Sequence, residues 1–118
     1  MARILLAEDD SSLRGFLTRA LERAGHQVVD CENGDDAIDA LEHGPYDLLL
    51  TDIVMPGADG IEVARVAAAR QPDLRIMFIT GFAAVALTAA QASPQAKVLS
   101  KPVHLRDLVN EVERMVAA

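Results

Sequence analysis

The sequence predicts an α/β fold built on a doubly wound parallel sheet, and two observations carry that prediction. Short apolar runs alternate along the chain with segments of helical periodicity. Runs such as Leu48-Leu49-Leu50 are apolar on both faces, which is typical of strands covered by helices on both sides. Right-handed crossovers then favour doubly wound topologies. The 118 residues suit one domain, so residues 1–118 are expected to form it alone.

The strands are predicted from short apolar runs bounded by turn residues. The third run follows Gly44-Pro45 and is the clearest, since three consecutive leucines leave no polar face. The five predicted strands cover Arg3–Ala7, Gln27–Asp30, Asp47–Thr51, Arg75–Ile79 and Lys97–Leu99.

The helices are predicted from apolar residues at three-to-four spacing and from start and stop signals. Ser11 or Ser12 can cap the first helix, and Gly25 ends it. The second lies between the turns Asn33-Gly34 and Gly44-Pro45. The other three are expected at about Gly60–Arg70, at Ala83–Ala92 and from Leu105 onward. The nearly uncharged Ala83–Ala92 is predicted to be an alanine-rich helix half buried on the sheet. It could instead be a partner face, or a segment that orders when bound.

Composition excludes several classes of function. A net charge of −7 argues against nucleic-acid binding, which needs a basic surface. The uncharged stretch 76–96 is interrupted by polar residues and Pro94, so it does not predict a membrane span. With no visible N-terminal signal and one cysteine, Cys31, we expect a cytoplasmic protein in a reducing compartment. Solvated or capping roles are predicted for the histidines, His26, His43 and His104.

Chemistry-bearing residues stand where the predicted strands end. They are Glu8-Asp9-Asp10, Asp52, Thr80 and Lys101-Pro102. In doubly wound folds the carboxyl ends of the strands form the ligand site. Carboxylates gathered there repel each other and favour a cation such as Mg²⁺, which prefers oxygen ligands. A carboxylate nucleophile, a metal, a lysine and a hydroxyl are the parts that phosphoryl transfer needs. Each residue alone also has an ordinary structural explanation, such as acids opening a helix; their combination favours a site.

This pattern resembles the receiver domains of bacterial two-component systems over the full length of the chain. The matching segments are Ile4–Asp10, Asp47–Pro56 with Asp59-Gly60, Ile79–Gly81 and Leu99–Pro102. The resemblance implies a flavodoxin-like sheet of strand order 2-1-3-4-5 with five helices. It also implies that a histidine kinase or histidine phosphotransferase donates the phosphoryl group.

The resemblance assigns roles to residues of this sequence. Asp52 is the phosphoacceptor. Mg²⁺ is held by Asp9 and Asp52, by Glu8 through water and by the backbone carbonyl of Val54, whereas Asp10 lies outside this set. Thr80 and Lys101 contact the phosphoryl group, and the Lys101-Pro102 peptide bond is cis. Apart from self-catalysed phosphorylation and dephosphorylation, no enzyme activity is implied.

Two segments resemble a narrower group of single-domain regulators. They are Ile76–Leu87 and Lys97–Val109. Members of this group have no effector domain, and while unphosphorylated they act as adaptors for the ClpXP protease. The resemblance therefore implies regulated proteolysis in the cell cycle, with ClpX and its substrates as partners and phosphorylation as the off-signal.

The sequence departs from the usual receiver pattern at Val98, where receivers usually carry Tyr or Phe. We expect Phe82, or a repacked fourth helix, to report the phosphorylation state instead. Neither Val54 nor Phe82 can orient a water by hydrogen bonding, which predicts slow self-dephosphorylation. The same site residues would also serve a chemotaxis-type regulator or a phosphorelay intermediate. An aspartyl-phosphate phosphatase commonly has a second acid where Val54 stands, so turnover should be poor.

Overall fold

The computed structural model describes residues 1–82, 88–91 and 95–117, and its strands form one parallel sheet. The strands are β1 Arg3–Ala7, β2 Gln27–Cys31, β3 Leu48–Asp52, β4 Arg75–Thr80 and β5 Lys97–Ser100. Their order across the sheet is β2-β1-β3-β4-β5, with every neighbouring pair parallel. The predicted fold class and strand order are therefore confirmed.

Helices follow the strands in alternation. They are α1 Ser11–Arg23, α2 Gly34–Ala40 with a 3₁₀ turn Leu41–His43, α3 Gly60–Arg70, the helical segment 88–91 (α4) and α5 Leu105–Ala117. The predicted cap of α1 at Ser11 or Ser12 is wrong. Asp10 is the last extended residue, and its Oδ1 accepts a hydrogen bond from Leu13 N at 3.1 Å, while both serines are already helical. Within the described residues, no helix has the length and apolar character to cross a membrane.

The sheet separates two apolar layers, because alternate side chains of each buried strand point to opposite faces. One layer joins alternate residues of the central strands to α1 and α5, through residues such as Leu17 and Leu108. The other joins the remaining strand residues to α2 and α3, with Phe78 and Val63 among its members. Both faces of β3 are therefore covered, as the leucine run predicts.

Four strands end one residue later than predicted, and this matters for the site. The sheet hydrogen bonding includes Cys31, Asp52, Thr80 and Ser100 at the carboxyl ends. Asp52 pairs with Ile79, and Thr80 pairs with Ser100. Parallel register thus holds the phosphoacceptor candidate, Asp52, and the hydroxyl candidate, Thr80, within paired strands rather than in loops.

Two other predictions concern single segments. Most of Ala83–Ala92 lies outside the described residues; its part 88–91 is helical, and Ala89 there is buried. Both interpretations of that segment therefore stay predictions. The solvated role predicted for His26 is wrong, because its ring is buried between the start of β1 and α5.

Candidate metal and phosphoryl site

Three carboxylates meet at the carboxyl edge of the sheet. Glu8 and Asp9 directly follow β1, and Asp52 is the last residue of the adjacent strand β3. One carboxylate oxygen from each lies within 4.8 Å of the others. Glu8 and Asp52 are buried, whereas Asp9 is exposed to solvent. The arrangement places three oxygen ligands around one point that solvent can reach.

Lys101 stands immediately after β5 and points its ammonium at two of these carboxylates. Its Nζ lies 2.9 Å from Asp52 Oδ2 and 3.0 Å from Glu8 Oε1. The backbone supports this position, since Lys101 N donates to Thr80 O at 2.8 Å. The peptide bond between Lys101 and Pro102 is cis. Burial alone would lower the pKa of Lys101, but the hydrogen bonds and charges of Asp52 and Glu8 outweigh it and raise that pKa. The lysine is therefore held charged.

Glu8 is almost fully buried, and its surroundings explain its titration. Burial raises the pKa of its carboxyl to about 7, although the Asp10 amide and Lys101 act in the opposite direction. Glu8 Oε2 accepts from Asp10 N at 3.1 Å, whereas the buried Oε1 has no hydrogen-bond donor aligned with it. The cation that faces this oxygen is the Lys101 ammonium, 3.0 Å away, and its charge offsets part of the cost of burying the carboxylate.

The carboxylate of Asp52 is oriented through both of its oxygens. Oδ1 accepts from Ile53 N at 2.7 Å, while Oδ2 faces the lysine. Only about 6% of the residue is exposed, so its side chain is confined to the edge of the sheet. A carboxylate fixed in this way can present an oxygen to an electrophile arriving from solvent.

Thr80 and the three apolar residues singled out near the site differ in their exposure to solvent. The hydroxyl of Thr80 is buried, and its Oγ1 accepts from Phe82 N at 3.1 Å. Phe82 and Val54, in contrast, are 60% and 49% exposed. Val98 is half-buried and packs against the core layer that contains Phe78. The backbone of Phe82 is thus directly linked to the Thr80 hydroxyl.

Sequence reasoning missed Arg14. Its Nη1 donates to the carbonyl oxygen of Glu8 at 2.8 Å, and its Nε lies 3.6 Å from Asp30 Oδ2. Arg14 therefore ties the end of β1 to β2 and brings a cation close to the acidic edge. Its position in the first turn of the helix that follows Glu8 is the sequence signal that could have identified it.

The residues present fit a divalent cation. All three candidate side-chain ligands are carboxylates, the oxygen donors that Mg²⁺ prefers. One ammonium, that of Lys101, faces two of these three carboxylates, so the cluster has more acidic groups than the cation beside it can neutralise.

Comparison with known proteins identifies the family. The family model described as response regulator receiver domain matches residues 4–113. The chain belongs to the response regulator receiver family. This receiver domain is 61% identical over 119 residues to the response regulator receiver protein CpdR of Brucella abortus (strain 2308), covering 100% of this chain and 99% of that protein.

Two solved structures show the same fold. A response regulator receiver protein from Sinorhizobium medicae WSM419 matches with a TM-score of 0.90 and 34% identity, over 98% of this chain and 94% of that one. The response regulator TrrA of Thermotoga maritima, solved in complex with Mg²⁺-BeF, matches with a TM-score of 0.86 and 28% identity, over 98% and 99%. TrrA is therefore a related response regulator whose structure contains magnesium together with a beryllium-fluoride group.

Proposed function

We propose that this receiver domain accepts a phosphoryl group on Asp52 with the help of Mg²⁺, and that the modification changes which proteins it binds. The observation that carries the proposal is the convergence of Glu8, Asp9, Asp52 and Lys101 on one edge of the sheet. The Mg²⁺-BeF complex of the related TrrA supports the metal.

The resemblance to receiver domains supplies the proposed roles of the metal-site residues. Asp9, Asp52 and the Val54 carbonyl would hold Mg²⁺ directly and Glu8 through water, and the ion would neutralise charge on the phosphoryl oxygens. An oxygen of Asp52 forms the new O–P bond as the N–P bond of a phosphohistidine donor breaks, and the departing imidazole takes up a proton. A histidine kinase or histidine phosphotransferase is the donor.

The remaining residues respond to the new group. Lys101 moves its ammonium from the two carboxylates toward a phosphoryl oxygen, because that oxygen carries more charge than the carbonyl oxygen left on the acyl phosphate of Asp52. The Thr80 side chain rotates so that its hydroxyl donates to another phosphoryl oxygen, and this rotation carries Oγ1 away from Phe82 N and breaks the hydrogen bond that Oγ1 accepts from it. The exposed Phe82 is thereby released, and we assign it as the residue that reports the state, since the half-buried Val98 has no aromatic ring to move.

The output is binding to another protein. The 61% identity to CpdR over the full chain supports a CpdR-type role. In this role the unphosphorylated domain binds the ClpX component of the ClpXP protease and its substrates, and phosphorylation turns the adaptor off. Apart from handling its own phosphoryl group, the domain would not act as an enzyme.

Incubation with acetyl phosphate and Mg²⁺ tests the first part of the proposal. Intact-mass spectrometry should show one phosphoryl group on the wild type and none on Asp52→Asn. Asp39→Asn, which changes an exposed aspartate on α2, is the matched control and should be labelled like the wild type. Failure of the wild type to take up label, or continued labelling of Asp52→Asn, would contradict the assignment.

Binding to purified ClpX tests the second part. Wild type and Asp52→Ala should bind equally before treatment, and only the wild type should lose binding after phosphorylation. Tighter binding of the phosphorylated form would reverse the proposed direction of the switch. Absence of ClpX binding in both states would refute the adaptor role and leave the phosphoacceptor role intact.

A further inference from the structure

We propose that Asp35, at the start of α2, is a positioning residue for the loop Ile53–Asp59, which directly follows the phosphoacceptor. The inference rests on the proposed function, because this loop carries Val54, whose carbonyl is assigned there to Mg²⁺. The geometry makes the N-terminal turn of α2 part of the scaffold of the metal site.

Direct contacts connect the two segments across more than twenty residues of sequence. Asp35 Oδ1 accepts a hydrogen bond from Ala58 N at 3.2 Å. Gly34 N donates a longer bond to Pro56 O at 3.5 Å. The far half of the loop is therefore held to a helix rather than only to solvent.

The loop can lie this close to α2 because two positions at the contact, Gly34 and Gly57, have no side chain. A Cβ on Gly34 would lie only 1.7 Å from Ala58 O, so the loop backbone rests directly on the helix backbone. Gly57 adopts a φ of +73°, and a Cβ there would lie 2.4 Å from Asp35 Oδ2. Only glycine fits both positions without displacement of the contact. The carboxylate of Asp35 thus fills the space beside the turn at Gly57.

The near half of the loop is fixed independently. Ile53 and Met55 are buried in the core layer with α2 and α3, and Gly60 N donates to Ile53 O at 2.7 Å. Val54 lies between these two anchored residues, with its side chain exposed. With the near half held by the core and the far half by Asp35, the backbone at Val54 has little freedom. Loss of the Asp35 contact allows residues 56–58 to relax and loosens the Val54 carbonyl.

Charge alone could also connect Asp35 to a metal, and a conservative variant separates the two causes. Asp35→Asn removes the negative charge but keeps a side-chain oxygen that can accept from Ala58 N. Asp35→Ala removes both. If the hydrogen bond matters, asparagine should rescue; if only long-range charge matters, the two variants should behave alike.

The experiment measures the Mg²⁺ dissociation constant of the full chain by NMR titration, with urea unfolding as the check on stability. Asp35→Ala should raise this constant about three- to tenfold, the expected scale for one hydrogen bond that orders a ligand. Asp35→Asn should stay within about twofold of the wild type. Asp39→Ala, an exposed aspartate of the same helix, is the control and should bind like the wild type. Equal weakening in Asp35→Ala and Asp35→Asn, or none in either, overturns the inference.

Two further measurements keep the result specific. In metal-free protein, Asp35→Ala should speed amide hydrogen exchange at Val54 and Ala58 relative to Asp35→Asn; unchanged exchange contradicts a positioning role. Gly57→Ala should weaken Mg²⁺ binding less in the Asp35→Ala background than in the wild type, because its added methyl then meets no carboxylate; additive effects count against the contact.

If the wild type binds Mg²⁺ and is phosphorylated, and every variant behaves like it, only this inference fails. If the wild type does neither, the proposed function fails with it.

Discussion

Cys31 ends β2 beside the acidic edge, and its backbone carbonyl and its thiol have different roles. Its carbonyl accepts from Glu8 N at 3.1 Å and so helps to fix Glu8. Its thiol is buried and does not face a disulfide partner in the described residues. Burial raises the pKa of this thiol from 9.0 to about 11; Asp36 and Asp30 add to the rise, and Arg14 opposes it. The residue therefore supports the site through its backbone while its side chain stays protonated.

This shift predicts the pH dependence of alkylation. At pH 9 about half of the unfolded thiol is ionised but only about 1% of the folded one, so iodoacetamide should label native protein at least fifty times more slowly than urea-unfolded protein. Because the folded pKa is the higher, the thiol's contribution to stability is present below pH 9 and is lost as pH rises through 11. Rapid labelling of the native protein at pH 9 would contradict this result.

At the level of elements, α5 is held to the sheet by a buried histidine. His26 Nδ1 accepts from Ala2 N at 3.1 Å, so its Nε2 carries the hydrogen and donates to Glu113 Oε1 at 2.7 Å. His26, which directly precedes β2, thus connects Ala2, the residue before β1, to Glu113 on the last helix. Apolar residues of α5 that face the same layer, Leu108 and Val112, complete the attachment.

Glu113→Ala should therefore lower the free energy of unfolding by about 1 kcal/mol, because a buried donor loses its acceptor. Glu113→Gln, which keeps an acceptor oxygen, should lose less. Glu62→Ala removes a carboxylate of similar exposure that pairs with Arg65 on the surface, and it should cost at most about 0.5 kcal/mol. Urea unfolding measures all three, and imidazole NMR should show the hydrogen on Nε2. Equal losses for Glu113→Ala and Glu62→Ala would argue against the attachment.

The start of α3 is fitted closely to the site. A Cβ on Gly60 would lie 2.1 Å from Asp52 O and 2.8 Å from Ile53 Cα, and both are backbone atoms that cannot move cheaply. Gly15 in α1 is different, because the nearest atom to its Cβ is the flexible end of Arg19 at 3.3 Å. A side chain at Gly60 would therefore clash with fixed backbone atoms, whereas one at Gly15 would meet only a side chain that can move aside.

Alanine at each position should separate these reasons. Gly60→Ala should destabilise the domain by about 1–3 kcal/mol and slow labelling by acetyl phosphate, since Asp52 must shift. Gly15→Ala should stabilise it by about 0.5–1 kcal/mol, the gain in helix propensity, and leave labelling unchanged. Urea unfolding and labelling rates check both. Comparable effects of the two substitutions on stability would show that the fit at Gly60 is unimportant.

The elements also show what sequence can predict. Strand existence followed from doubly apolar runs such as the leucines of β3, because burial on both faces leaves a strong pattern. The sequence places the α1 cap one or two residues too late, since Asp10, Ser11 and Ser12 are all good caps and only the backbone path decides among them. The burial of His26 and the contact of Asp35 with Ala58 depend on tertiary partners far along the chain, which local spacing does not reveal.

The whole molecule assembles the acidic edge through sheet order. Because β1 lies beside β3, with β4 and β5 following, residues from positions 8 to 101 meet at one edge. A chain with net charge −7 also gathers three carboxylates there, and Lys101 partly offsets them. The fold thus brings mutually repelling carboxylates together at the place where a cation is proposed to bind.

A ligand that binds only the folded state stabilises it, so Mg²⁺ should raise the unfolding free energy of the whole domain. At a free concentration of about ten times its dissociation constant, the gain should be about 1.4 kcal/mol. Asp9→Asn should fold normally, since Asp9 is exposed, but should lose most of this gain because the substitution weakens a proposed direct ligand. NaCl at matched ionic strength separates site binding from general screening of the negative charge. If NaCl stabilises the wild type as much as Mg²⁺ does, or if Asp9→Asn keeps the full effect, the carboxylates do not form the proposed metal site.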